Sequence, residues 1–115
     1  MNKKNIRIIA KLEIKSEWVV KPIYFEGLKK IGVPSLIGKQ YYLDGVDEII
    51  YIDIVSSLYR REISYKQIKD FSKEIYIPIT AGGGVRSEEG FVKLLESGAD
   101  KVAINTFALQ EDPNI

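Results

Sequence analysis

The chain has 115 residues, 45% of them hydrophobic and 29% charged, and a formal net charge of +1. That is one domain's worth of chain or a piece of a larger domain. The near-zero charge, with basic residues clustering only as short pairs, Lys3-Lys4, Lys29-Lys30 and Arg60-Arg61, argues against a nucleic-acid footprint.

Ile6 to Ile14 is rich in isoleucine and reads as a strand, followed by a polar break at Lys15-Ser16-Glu17. Trp18-Val19-Val20 and Ile23-Tyr24-Phe25 suggest a small β-excursion before Gly27. A helix is expected over Ser35 to Leu43, stopped by Gly45, a natural residue just past a helix end. Glu48 to Val55 is almost continuously apolar, as a strand covered on both faces should be, with Asp53 as its one internal charge. Ser64 opens the next helix with Gln67 at capping-box spacing, and Tyr65, Ile68, Phe71, Ser72 and Ile75 keep the helical period up to Pro78. A short apolar strand, Ile77 to Ala81, runs into Gly82-Gly83-Gly84. Ser87 starts a helix with Phe91, Leu94 and Leu95 on its inner face and Gly98 as its stop. A last strand, Lys101 to Ile104, ends at Asn105 and Thr106.

The order βαβαβαβ specifies a parallel sheet with right-handed crossovers. Asp112-Pro113-Asn114-Ile115 reads as an N-cap, a proline at the first helical position and a helix just beginning. The pattern is half of a closed (β/α)8 TIM barrel, which needs roughly 250 residues. Residues 1–115 are therefore expected to be the N-terminal half of a longer barrel, cut at the start of its fourth helix. An open flavodoxin-like sheet is the structural rival.

Function is most legible between Ile77 and Thr106. Glycines at the carboxyl end of a strand let backbone N–H groups approach an anion closely. Asn105 and Thr106, at the mouth of the next parallel strand, would add side-chain donors. The expectation is a phosphate cradle built from Gly83, Gly84, Asn105 and Thr106; the alternative is a tight turn with no ligand. Cysteine and histidine are both absent. That removes disulfides, thiol nucleophiles and thiolate or imidazole metal sites, so no metal and no cofactor are expected, and acid–base chemistry must use carboxylates, lysines or tyrosines. Nothing approaches transmembrane length and no secretory signal is evident, so a cytoplasmic protein with no membrane and no nucleic-acid partner is expected.

These residues resemble a family, the cyclase subunit of imidazole glycerol phosphate synthase, a phosphate-binding (β/α)8 barrel of histidine biosynthesis. The resemblance covers essentially the whole chain. Its pieces are Arg7-Ile8-Ile9-Ala10, Val19-Val20-Lys21, Asp47-Glu48 leading to Tyr51-Ile52-Asp53-Ile54, Gly82-Gly83-Gly84-Val85, and Gly98-Ala99-Asp100 through Asn105-Thr106. The sister isomerase of that pathway usually ends the last segment in glycine-threonine and carries an arginine near Lys21, which favours the cyclase.

The resemblance implies a lyase in which ammonia from a glutaminase (amidotransferase) partner attacks a bisphosphorylated aminoimidazole-carboxamide ribonucleotide. It implies that one substrate phosphate sits on Gly84, Asn105 and Thr106, and that the second site belongs to the other half of the barrel. Of the family's two catalytic aspartates only the first-strand one has a counterpart, here Glu13. Lys21 matches a lysine of loop closure and substrate handling. Asp53 matches a substrate-proximal aspartate at the barrel mouth. Arg7, Glu48 and Lys101 match three members of a charged ring at the opposite face, used as an ammonia entrance.

Several readings stay open at this level. Glu13 is one methylene longer than the family's aspartate and has either the acid/base role or an altered one. Asp53 contacts substrate or orients a loop. Arg7, Glu48 and Lys101, at strand starts, also fit an ion-pair layer without transport. Ser16-Glu17-Trp18, Pro22 and Val33 depart from the family's first-loop pattern, and fit a paralogue that works with an amidotransferase in surface-glycan biosynthesis. A non-catalytic phosphate-binding half-barrel that self-associates is the third reading. As a fragment, the chain is expected to be inactive.

Overall fold

The computed structural model describes residues 6–23, 27–54, 63–85 and 87–103. These form one six-stranded sheet. Its strands are β1 (Ile9–Lys15), β2 (Trp18–Ile23), β3 (Gly27–Gly32), β4 (Glu48–Asp53), β5 (Ile79–Gly82) and β6 (Lys101–Ala103). Its helices are α1 (Pro34–Leu43), α2 (Tyr65–Ser72) and α3 (Glu88–Glu96). The spatial order is β3-β2-β1-β4-β5-β6.

β1, β4, β5 and β6 are parallel, as the alternating pattern requires. The β-excursion is larger than its apolar clusters suggest. It is a full hairpin whose β2 runs antiparallel beside β1 and whose β3 is the sheet edge. The sheet is therefore mixed: its four barrel strands are parallel as expected, and the hairpin adds two antiparallel strands at one side. The physical reason is that β1 has a free edge at its carboxyl end, and an adjacent hairpin can satisfy those backbone groups at little loop-closure cost.

The helix starts fall where the sequence chemistry places them, and so do the ends of α1 and α3, but α2 stops at Ser72, short of Ile75, to which its sequence period extends. Ser64 and Ser87 are N-caps whose hydroxyls accept from the backbone N–H of Gln67 and Gly90. Gly45 and Gly98, the expected stops, have φ of +98° and +124°. α1 has no side-chain cap, but Pro34 at its start lacks the N–H that would need one. Ile68, Phe71 and Ile75 share one buried stripe, and Gly90 and Leu94 are buried in α3; Phe91 is half-buried, and Leu95 faces solvent instead of the core.

Strand alternation divides the sheet into two faces. Leu12, Ile14, Ile49, Tyr51, Ile79 and Ala81 pack beneath Ile68, Phe71 and Leu94 to form the core. Gly38 of α1 lies against Phe71 of α2: a Cβ there would stand 2.4 Å from the ring. The opposite face carries Ile9, Lys11 and Glu13 of β1, with Glu48, Ile50 and Ile52 of β4, and is more exposed.

The amino-terminal rim uses one device twice. Asp47, just before β4, accepts from the Ile8 N–H at 2.7 Å and donates its own N–H to the Ile8 carbonyl at 2.8 Å. Asp100, just before β6, does the same to Ile79, both at 2.8 Å. Each aspartate follows a glycine that ends a helix by two residues, so Gly45-Val46-Asp47 and Gly98-Ala99-Asp100 each stop a helix and start a parallel strand in register.

Candidate functional site at the carboxyl ends of the strands

The parallel registers place the candidate residues in rows across the more exposed face. Glu13 pairs with Ile52, Ile52 with Gly82, and Gly82 with Ala103. The carboxylate, the start of the glycine segment and the end of the last described strand therefore lie in one row at the carboxyl rim. Gly82 is required there by close approach: a Cβ would meet the Ala103 Cβ at 2.9 Å and its carbonyl oxygen at 3.1 Å. Gly83 has φ of +147°, a region L side chains rarely adopt, and Gly84 is buried.

Glu88 and Glu89 occupy the first turn of α3, and Ser87 caps it. The positive end of that helix is thus already compensated. Asn105 and Thr106, expected to complete the cradle, lie outside the described residues.

Glu13 is half-buried and Lys21 exposed. Both border one cavity of about 250 Å³ at the fork between β1 and β2, with Lys11 beside them. Lys11 shares Glu13's face, two residues lower on the strand, and was missed by sequence reasoning. The strand period of two counted back from Glu13 was the available signal.

Asp53 stands at the carboxyl end of β4, at the rim as expected, but it pairs with Ile14 and so belongs to the helix-covered face. It is 9% exposed. The sheet lies between it and Glu13. Its charge acts on Tyr51, whose hydroxyl is pushed well above the ordinary phenol value by burial first and by Asp53 second.

At the opposite rim Glu48 joins two cations. It accepts a hydrogen bond from Arg7 at 2.5 Å and lies 3.5 Å from the Lys101 Nζ. The Arg7 hydrogen bond chiefly holds the Glu48 carboxyl below the usual carboxylate range, with the Lys101 charge adding to it against a burial penalty. Arg7, Glu48 and Lys101 therefore converge, as an ion-paired cluster on the amino-terminal rim.

The largest surprise is Gln67. Its backbone N–H goes to the Ser64 hydroxyl as the capping spacing predicts, but its side chain does not close the box. The amide nitrogen donates instead to the Ser16 carbonyl at 2.8 Å and to the Tyr51 hydroxyl at 3.1 Å. No sequence signal pairs residues 51 positions apart in this way.

No group of acidic side chains among the described residues is arranged to hold a metal ion, and no described helix is long and apolar enough to cross a membrane.

Comparison with known proteins gives a consistent result. The chain is 46% identical over 104 residues to the imidazole glycerol phosphate synthase subunit HisF of Legionella pneumophila, covering 90% of this chain and 49% of that protein. To the subunit of the same name from Lactococcus lactis subsp. cremoris strain SK11 it is 48% identical over 109 residues, 95% of this chain and 42% of the relative. For Petrotoga mobilis the figures are 43% over 109 residues, 95% and 43%. The chain thus spans a little under half the length of the curated relatives it matches. Four parallel strands with their crossover helices are the corresponding half of a (β/α)8 barrel. Residues 7–115 match the model of the family described as histidine biosynthesis protein, and the chain belongs to that family.

Proposed function

We propose that the complete protein containing this chain is the cyclase subunit of imidazole glycerol phosphate synthase. It takes ammonia from a glutaminase subunit in a heterodimer and acts in the cytoplasm on a bisphosphorylated aminoimidazole-carboxamide ribonucleotide. The observation that carries this reading is the row Glu13–Ile52–Gly82–Ala103, which brings a carboxylate and a glycine loop to one rim, as an acid–base group beside a phosphate cradle requires. The names of the relatives support it.

In this reading Glu13 gives and takes protons at the reacting heterocycle. Lys21, from the hairpin above the fork, assists in holding substrate. Gly83 and Gly84 donate backbone N–H groups to one phosphate together with Asn105 and Thr106. Asp53, at the carboxyl end of β4, is the substrate-proximal carboxylate of the barrel mouth. Arg7, Glu48 and Lys101 form part of the ammonia entrance at the opposite rim. The 115 residues alone hold one catalytic carboxylate and one phosphate loop and turn over negligibly.

The test is ammonia-dependent turnover by the full-length protein. Glu13→Gln keeps size and removes the titratable group, so turnover falls by about 10²–10⁴-fold with little change in phosphate-ligand affinity. Thr106→Val weakens binding, with a smaller effect at saturation. A Glu13→Gln enzyme with intact turnover refutes the assignment. A wild-type protein that accepts ammonia only with a sugar substrate transfers the reading to glycan modification.

A further inference from the structure

We propose that Gln67 is a positioning residue. Its side-chain amide is the strut that sets the pose of the β1–β2 turn at the carboxyl rim, and through that turn the strand β2, which carries Lys21 one residue past the Glu13–Val20 pair. The consequence for function rests on the reading of Glu13 and Lys21 given above; the mechanical claim does not.

The argument begins with what the turn lacks. β1 and β2 are paired through three positions only, Glu13 with Val20, Ile14 with Val19 and Lys15 with Trp18. Ser16, at the turn, sits at φ +58°, an uncommon conformation for a residue other than glycine. Beneath the turn is a cavity of about 270 Å³ bounded by Glu17, by Val33 and Pro34 at the start of α1, and by Ser64 and Gln67 at the start of α2. Val19 and Val20 anchor the body of β2 in the core, but the turn itself stands beside this cavity rather than on packed side chains.

Gln67 supplies the missing support. An amide NH2 has two hydrogens, and both are used. One goes to the Ser16 carbonyl and one to the Tyr51 hydroxyl. Tyr51 is an immobile anchor: it is 1% exposed, lies in the central strand β4 and meets Phe71 edge-on at 4.9 Å. The base of Gln67 is fixed too, because its backbone N–H is held by Ser64. One side chain thus ties a turn three residues beyond Glu13 to the best-packed point of the core. A role confined to capping α2 does not explain this, since the cap uses the backbone N–H and needs no amide.

Trp18, the single tryptophan, reports the pose directly. It lies two residues past Ser16, with the Lys30 ammonium 4.9 Å from its ring centroid. In Gln67→Leu and in the isosteric Gln67→Glu, which has no donor when ionised, acrylamide quenching of Trp18 rises about twofold while far-UV circular dichroism is retained. Lys66→Ala, one position away and paired only with Asp70 on its own helix among the described residues, leaves the quenching unchanged. Unchanged quenching in both folded Gln67 variants overturns the proposal. A wild-type measurement decides the matter if the variants do not fold: the Gln67 amide protons show a nuclear Overhauser contact to the Tyr51 ring, and absence of that contact also overturns it. In the full-length enzyme Gln67→Leu raises KM more than it lowers kcat. The Trp18 readout needs no turnover, so failure of the cyclase reading and failure of the strut are separately visible.

Discussion

Gly82→Ala is the sharpest test of the rim. The added methyl would lie 2.9 Å from the Ala103 Cβ, 3.1 Å from the Ala103 carbonyl oxygen and 3.2 Å from Ile52 Cδ1. Non-bonded carbons are at ease at about 3.5–4.0 Å, so all three neighbours must give. Ile52 can rotate its terminal methyl, but the Ala103 atoms are tied to the backbone of a paired strand. Overpacking by one methylene costs about 1–3 kcal/mol. The reduced freedom of the unfolded chain with alanine offsets about 0.4–1 kcal/mol of that, leaving a net loss of about 1–2 kcal/mol. At about 4–8 °C per kcal/mol for a small domain, the melting temperature falls by about 4–16 °C, measured by circular dichroism at 222 nm. The exchange Gly82→Ala with Ala103→Gly removes the shortest contact and recovers at least half of the loss, whereas Ile52→Val recovers less because its atom was the mobile one. A Gly82→Ala chain that melts at or above the wild-type temperature refutes the claim that β5 and β6 approach too closely for a side chain at this row.

Two further predictions concern the rim and the core. Glu48 has its carboxyl lowered in the folded state, so its contribution is fully present above the ordinary value of 4.5 and is lost as pH falls through the lowered one; urea unfolding of Glu48→Gln should therefore show a shallower decline in stability below pH 4.5 than the wild type, and parallel declines would mean the ion pairs contribute nothing. Phe71→Ala removes a ring that is 1% exposed and touches both Tyr51 and the Gly38 surface of α1; it should cost about 3–5 kcal/mol in urea unfolding, and a loss below about 1 kcal/mol would show that α1 and α2 are not closely packed.

Much of this molecule is legible without coordinates. Ser64, Ser87, Gly45 and Gly98 each bias the backbone within a turn of themselves, so the starts of α2 and α3 and the ends of α1 and α3 could be read along the chain. The nearly continuous apolar run of β4 marks a strand, although only its Ile49, Tyr51 and Asp53 face is buried in the described residues, and the order of elements then dictates parallel neighbours. Glu13 and the glycine segment could be placed at one rim for the same reason: in a parallel sheet, position along the strand is enough to fix the end.

What lies sideways to the chain was decided by tertiary structure. Which face Asp53 occupies depends on strand registration, and one step along β4 moves a side chain from the open face to the helices. The hairpin joins the sheet because β1 offers an unpaired edge, a property of the assembled sheet and not of residues 18–32. Asp47 and Asp100 look like ordinary strand-start acids until Ile8 and Ile79 are brought beside them. Gln67 carries two meanings at once. Its local spacing announces a cap through the backbone, while its amide reaches Ser16 and Tyr51, partners that only folding brings within hydrogen-bond distance. Local backbone preferences act over three or four residues and are written in the order of the amino acids; contacts across tens of residues depend on how faces meet, and only the packed molecule selects among them.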